Sequence, residues 1–179
     1  MSISTRKRSR VSRLVPLLVV LALLAAGALA YYQTSGVLDA NGTWYGPTRA
    51  TSGAVTVSVE AYLNISTSLT GQLSGKGTFC LPLPFHQTAT VDFTLTGQHA
   101  FVFWGHDPQP DVTLTVEEAV PVVAGFSLPI GPNLKLHGSA TPTRLRLTGG
   151  DSHVAAALDL QHGTRAAFMT ACHALAPLG

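Results

Sequence analysis

The chain has 179 residues, of which 46% are hydrophobic and only 11% charged, with a formal net charge of +2 and two cysteines. That length suits one modest domain with a short appendage, and the apolar share argues against disorder. The positive excess lies entirely in residues 1–13; from Tyr31 onward six cations face nine anions, with no basic stripe and no interleaved aromatic platform, so no nucleic-acid partner is expected.

The first element is a targeting pattern. Arg6, Lys7, Arg8, Arg10 and Arg13 make residues 1–13 a basic cytoplasmic segment, and residues 14–32, from Leu14 to Tyr32, carry no charge. A helix of that length spans roughly 28 Å, close to the ~30 Å hydrocarbon core of a bilayer. Pro16 falls in its first turn, where a missing N–H costs little. All five leader cations precede it, so the positive-inside bias keeps the N-terminus in the cytoplasm and places the remainder of the chain outside. Two fates are open. The segment is a single-pass transmembrane anchor, or a signal peptide cut after Ala30 in Ala28-Leu29-Ala30, which would leave a secreted domain. The apolar run exceeds the ~7–15 residues of a signal core, and Tyr31 and Tyr32 sit where an interfacial belt belongs; both favour the anchor. The expected partner of this segment is the membrane itself.

Residues 33–41 read as a polar linker, and residues 42–179 as an extracytoplasmic β domain. Thr43-Trp44-Tyr45 opens a short strand that Gly46-Pro47 closes. From Ala54 to Leu63, Val55, Val57, Val59, Ala61 and Leu63 alternate with Thr56, Ser58, Glu60 and Tyr62, the period of a half-buried strand. Ser66 to Cys80 alternates too, and Gly71, Gly75 and Gly77 on one parity suggest bends or close backbone approach. Thr88 to Thr96 comes next; Gly97-Gln98 reads as a tight turn that returns the chain through His99 to Trp104. Gly105 to Pro110 is a loop, and Asp111 to Glu117 alternates again. An apolar run over 122–128, then Leu134 to Leu136, Arg144 to Thr148 and Val154 to Leu160, bring the expected total to nine or ten strands. Their close spacing leaves no room for crossover helices, so the sheet should be antiparallel.

Near the end the period changes. Phe168, Cys172 and Leu175 recur at helical spacing over 164–175, after Gly163-Thr164 and before Pro177. In an oxidising compartment Cys80 and Cys172 read as a disulfide that would clip this short helix to the sheet. The fold class expected is therefore all-β with one short C-terminal helix: an antiparallel β-barrel, or alternatively a β-sandwich, preceded by an N-terminal transmembrane helix.

The run Gly42-Thr43-Trp44-Tyr45 resembles the G-x-W opening of lipocalin-like small β-barrels. The plan is also similar: a meander of strands, a late helix, and a mid-barrel cysteine paired with one near the C-terminus. The resemblance implies that Trp44 closes the barrel floor as a core anchor, often against a late cation, a place open to Arg144, Arg146 or Arg165. It fixes no ligand, although with the alternating Val, Leu and Phe faces it motivates a carrier of a small apolar molecule as an alternative. The T-D-Y element of that family is absent. A looser likeness connects the chain to uncharacterised bacterial exported domains with G-T-W and Gly/Thr-rich strands.

Chemistry is sparse. The seven histidines contain no pair at strand or helix ligand spacing. His106, Asp107 and Asp111 form the sole His/Asp cluster, in a Pro-stiffened polar loop able to hold a cation but more simply read as a loop. Glu117 and Glu118 are adjacent, so on a strand they point to opposite faces. No nucleophile elbow, phosphate loop or zinc motif occurs, so no cofactor is expected and an enzyme, such as an envelope hydrolase, is the least favoured reading. Asn41-Gly42-Thr43 and Asn64-Ile65-Ser66 are sequons. The expected function is a membrane-anchored extracytoplasmic interaction or envelope-associated module of unknown partner, an envelope protein or a small apolar ligand being the candidates, with a carrier of a small apolar ligand as the alternative.

Overall fold

The computed structural model describes residues 11–34, 39–68, 70–83, 87–99, 111–121, 134–152 and 154–175. They fall into two compact units, Met1–Ser35 and Gly36–Gly179. The first contains helix α1, Val11–Thr34. Its side chains are described only over Leu18–Ala30, where all are exposed. That stretch is shorter than a bilayer crossing, and among the described residues no helix is long and apolar enough to cross a membrane.

The second unit is a closed antiparallel barrel in which every strand pairs with its neighbours in sequence order. The strands are β1 (Gly42–Ser52), β2 (Val55–Thr67), β3 (Gln72–Pro82), β4 (Thr88–His99), β5 (Asp111–Pro121), β6 (Leu134–Ala140), β7 (Arg144–Gly150) and β8 (Ala155–His162). β8 returns to pair with β1, from Trp44 opposite His162 to Thr51 opposite Ala155, so the sandwich alternative is excluded. Period-two alternation decides which side chains point in. Val59, Ala61, Leu63 and Ile65 of β2, Val112, Leu114 and Val116 of β5, and Leu158 and Leu160 of β8 join one buried cluster with Trp44. The outward positions are mostly Ser, Thr, Asn and charged residues.

The described strands number eight, and within them two local expectations change. Gly46-Pro47 does not end β1. The strand runs through both, and the β1–β8 register passes from Tyr45–Gln161 directly to Thr48–Leu158, because a proline has no N–H to give the ladder. Gly97-Gln98 is not a turn either. Gly97 lies inside β4, where a Cβ would sit 1.9 Å from the carbonyl oxygen of Thr113; the missing side chain serves a close strand approach. The turn that ends β1 falls at Gly53-Ala54, after Gly46-Pro47, with Ser52 paired to Val55 and Gly53 at φ +58°. Between β4 and β5 the register slips at Thr94/Leu95, leaving Glu117 as the extra residue of a bulge. Its exposed carboxylate accepts a hydrogen bond from the Thr96 hydroxyl, while the Glu118 side chain lies outside the described residues. The apolar run at 122–128 and most of the expected strand from His99 to Trp104 also lie outside them.

Helix α2, Arg165–His173, is capped by Thr164, whose hydroxyl accepts from the Ala167 amide at 3.2 Å. Cys80 and Cys172 are joined by a disulfide with Cα atoms 5.7 Å apart. Cys80, Phe168 and Cys172 are fully buried, forming a second apolar cluster on the outside of the barrel with Tyr45, Tyr62, Met169 and Leu175. A helix this short is marginal alone, so its order derives from the bridge and from Phe168.

Candidate functional site

Two places in the second unit gather polar chemistry. The first is the barrel floor. The Trp44 indole is wholly buried, donates from Nε1 to the Ala40 carbonyl at 3.0 Å, and stacks on the His162 ring with centroids 3.7 Å apart. The side chain stacked on Trp44 is thus His162 rather than Arg144, Arg146 or Arg165. Arg144 and Arg146 point outward from β7 to Asp159, at 3.4 and 3.5 Å, and Arg165 begins α2. The reason is register: Trp44 on β1 stands directly opposite His162 on β8. Ala40 is fully buried and Asn41 accepts from the Thr67 amide, so the end of the expected 33–41 linker is part of the barrel.

His99, at the end of β4, is 3% exposed, and neither ring nitrogen has a hydrogen-bond partner among the described residues. Burial pushes its pKa down, opposed by the nearby Asp39 carboxylate. Burial in turn raises Asp39, with His99 pulling it back. His99 and Asp39 thus influence one another electrostatically at this end of the barrel.

The second place is on the outer wall beside α2, and strand register builds it. Tyr62 of β2 pairs with Thr78 of β3, which pairs with Asp92 of β4. Two residues along, Asn64 pairs with Lys76, which pairs with Thr94. Outward alternation puts all six side chains on one face, a patch about 10 Å across the strands and about 7 Å along them. Arg165 completes it. Gly163 fixes where α2 starts: its amide donates to the Thr43 carbonyl, its own carbonyl accepts from the Thr43 hydroxyl at 2.7 Å, and a Cβ there would meet the Tyr45 ring at 2.1 Å. The disulfide and the tilted contact of Phe168 with the Tyr62 ring, centroids 5.7 Å apart, then hold the helix down. The result is a cleft of about 360 Å³ lined by these seven side chains.

Within the cleft the Thr78 hydroxyl, 5% exposed as a residue, donates to Asp92 at 2.7 Å and so fixes that carboxylate. Neither Lys76 nor Arg165 makes an ion pair among the described residues. One row further along, Glu60 lies beside Cys80, and burial raises its pKa.

Of the residues the sequence singles out, Trp44 lies in the floor, and Cys80 and Cys172 hold α2. His106 and Asp107 lie outside the described residues, as does the side chain of Asp111, whose backbone begins β5. Among the described residues no group of three or more His, Cys, Asp and Glu is placed to hold a metal ion. The sequence gives no signal for the cleft beyond the outward parity of its strand residues, because their meeting depends on register across three strands. No family model, no curated protein and no solved structure matches this chain in the comparisons made.

Proposed function

We propose that this chain is a membrane-anchored extracytoplasmic β-barrel module that works through contacts on its outer wall. The observation that carries the reading is the division of chemistry between the two sides of the barrel wall. Apart from Thr48 and His99, the described inward side chains form one buried apolar cluster, and polar and charged groups collect outside. A carrier needs room among those inward residues, and beside Gly77 there is none, since a Cβ there would lie 2.1 Å from the Phe93 ring. The cationic leader, its apolar run and the Cys80–Cys172 bridge support placement in an oxidising space across a membrane.

The test combines topology and cargo. In cells expressing the full chain, the protein should resist carbonate extraction and be cleaved by protease added from outside. It should also migrate faster on a non-reducing gel. Purified protein should release no stoichiometric apolar molecule on solvent extraction. A soluble cytosolic protein with two alkylatable thiols refutes the placement, and a stoichiometric extracted lipid refutes the filled-barrel reading.

A further inference from the structure

We propose that the cleft between α2 and the outer face of β2–β4 binds a hydroxylated carboxylate of monosaccharide size, that is, a sugar acid. The inference concerns a ligand and does not depend on where the domain resides.

Charge comes first. The second unit carries more anions than cations, yet two of its six cations, Lys76 and Arg165, line this one cleft without an ion-pair partner among the described residues. Concentrating unpaired cations on an otherwise acidic domain favours an anion there, and Arg and Lys both donate charge-assisted hydrogen bonds to a carboxylate. A second cleft, of about 390 Å³ along Arg49, Arg146 and Asp159, differs because Arg146 is already paired with Asp159 at 3.5 Å.

The remaining side chains specify more than an anion. Asp92 would repel a compact dianion, but its carboxylate, oriented by the Thr78 hydroxyl, accepts hydrogen bonds from hydroxyl groups. Asn64 and Thr94 add an amide and a hydroxyl in the adjoining row. Tyr62 supplies an aromatic wall whose ring is steadied by Phe168. A carboxylate for Lys76 and Arg165, hydroxyls for Asp92, Asn64 and Thr94, and an apolar ring face for Tyr62 together describe a sugar acid. The cleft, about 360 Å³, lies at the small end of ligand pockets. A third cleft, about 860 Å³, is lined by Ser, Thr, Gln, Gly and Leu with no charged side chain, so it has nothing to select an acid.

The experiment is a ligand-observed NMR titration of the full chain in a sugar-free detergent with D-glucuronate, D-glucose and sulfate as separate probes. Glucuronate should saturate, with glucose and sulfate each at least about ten-fold weaker. Lys76→Gln and Arg165→Gln should each weaken glucuronate about five-fold or more, the order set by an exposed charge-assisted hydrogen bond. Lys135→Gln, outside the cleft, should leave binding unchanged. Both cleft variants alter exposed side chains, and unaltered thermal melts verify their folds. Glucose binding as tightly as glucuronate overturns the anion requirement. Sulfate binding as tightly overturns the sugar-acid class. Absence of saturation by about 50 mM glucuronate, or insensitivity to both cleft substitutions, overturns the site.

Discussion

Breaking the crosslink between Cys80 and Cys172 tests how the second unit is held together. The bridged residues are 92 apart, and closing a loop of that length removes chain entropy worth about 4.6 kcal/mol from the unfolded state. Unfolding entropy of about 2.1 cal/mol/K per residue over Gly36–Gly179 converts that loss to a fall in Tm of about 15 °C. The double variant Cys80→Ala, Cys172→Ala should therefore melt about 15 °C below the oxidised protein in calorimetry. It should match wild type under reductant to within a few degrees. The loss should also be local at low temperature. No strand pairing involves α2, so the barrel ladder should keep its amide protection while residues 165–173 exchange freely. A Tm change below about 4 °C, or retained α2 protection in the double variant, would refute this account and mean that Phe168 alone suffices to dock the helix. Because α2 carries Arg165, the same variant should lose affinity at the outer cleft.

Three further outcomes are expected. Thr48 points into the core at 1% exposure with a hydroxyl that has no partner among the described residues, so Thr48→Val, which replaces that hydroxyl with a methyl of similar size, should raise stability by about 1 kcal/mol in urea titration. Trp44→Phe removes the hydrogen bond to Ala40 and shrinks the ring on His162; a loss of about 1–3 kcal/mol with an unchanged urea m-value is the expected result. The pH dependence derives from His99. Its folded pKa lies below the ordinary 6.5, so from that pH downward the unfolded state binds the extra proton and stability falls as pH drops toward the folded value. Asp39 and Glu60 act in the opposite sense at lower pH. Their raised carboxyl pKa values mean the folded state takes up protons first, and their contribution diminishes as pH rises through that range. Thermal melts from pH 7.5 to 5.5 should thus show a decline that His99→Leu flattens; an equal decline in the variant would remove His99 as its source.

The sequence by itself determined which side chains face in and which face out. The alternation at Val59, Ala61, Leu63 and Ile65 places those residues in the core wherever a strand forms there, since a strand has only two faces. Local chemistry also determined α2, from the Thr164 cap and the spacing of Phe168 and Cys172, and the pairing of the chain's two cysteines. Only the tertiary structure decided strand extent, closure and the outer site. Gly46-Pro47 and Gly97-Gln98 carry turn-forming residues, but their role depends on what lies beside them: a gap in the β1–β8 ladder in one case, the Thr113 carbonyl in the other. The choice of His162 over an arginine as the partner of Trp44 depends on the register of strands more than a hundred residues apart. The same holds for Tyr62, Lys76, Asp92 and Arg165. Sequence pattern gives the face each strand residue takes, but pairing across strands and a crosslinked helix bring the four to one cleft, and those contacts are nonlocal.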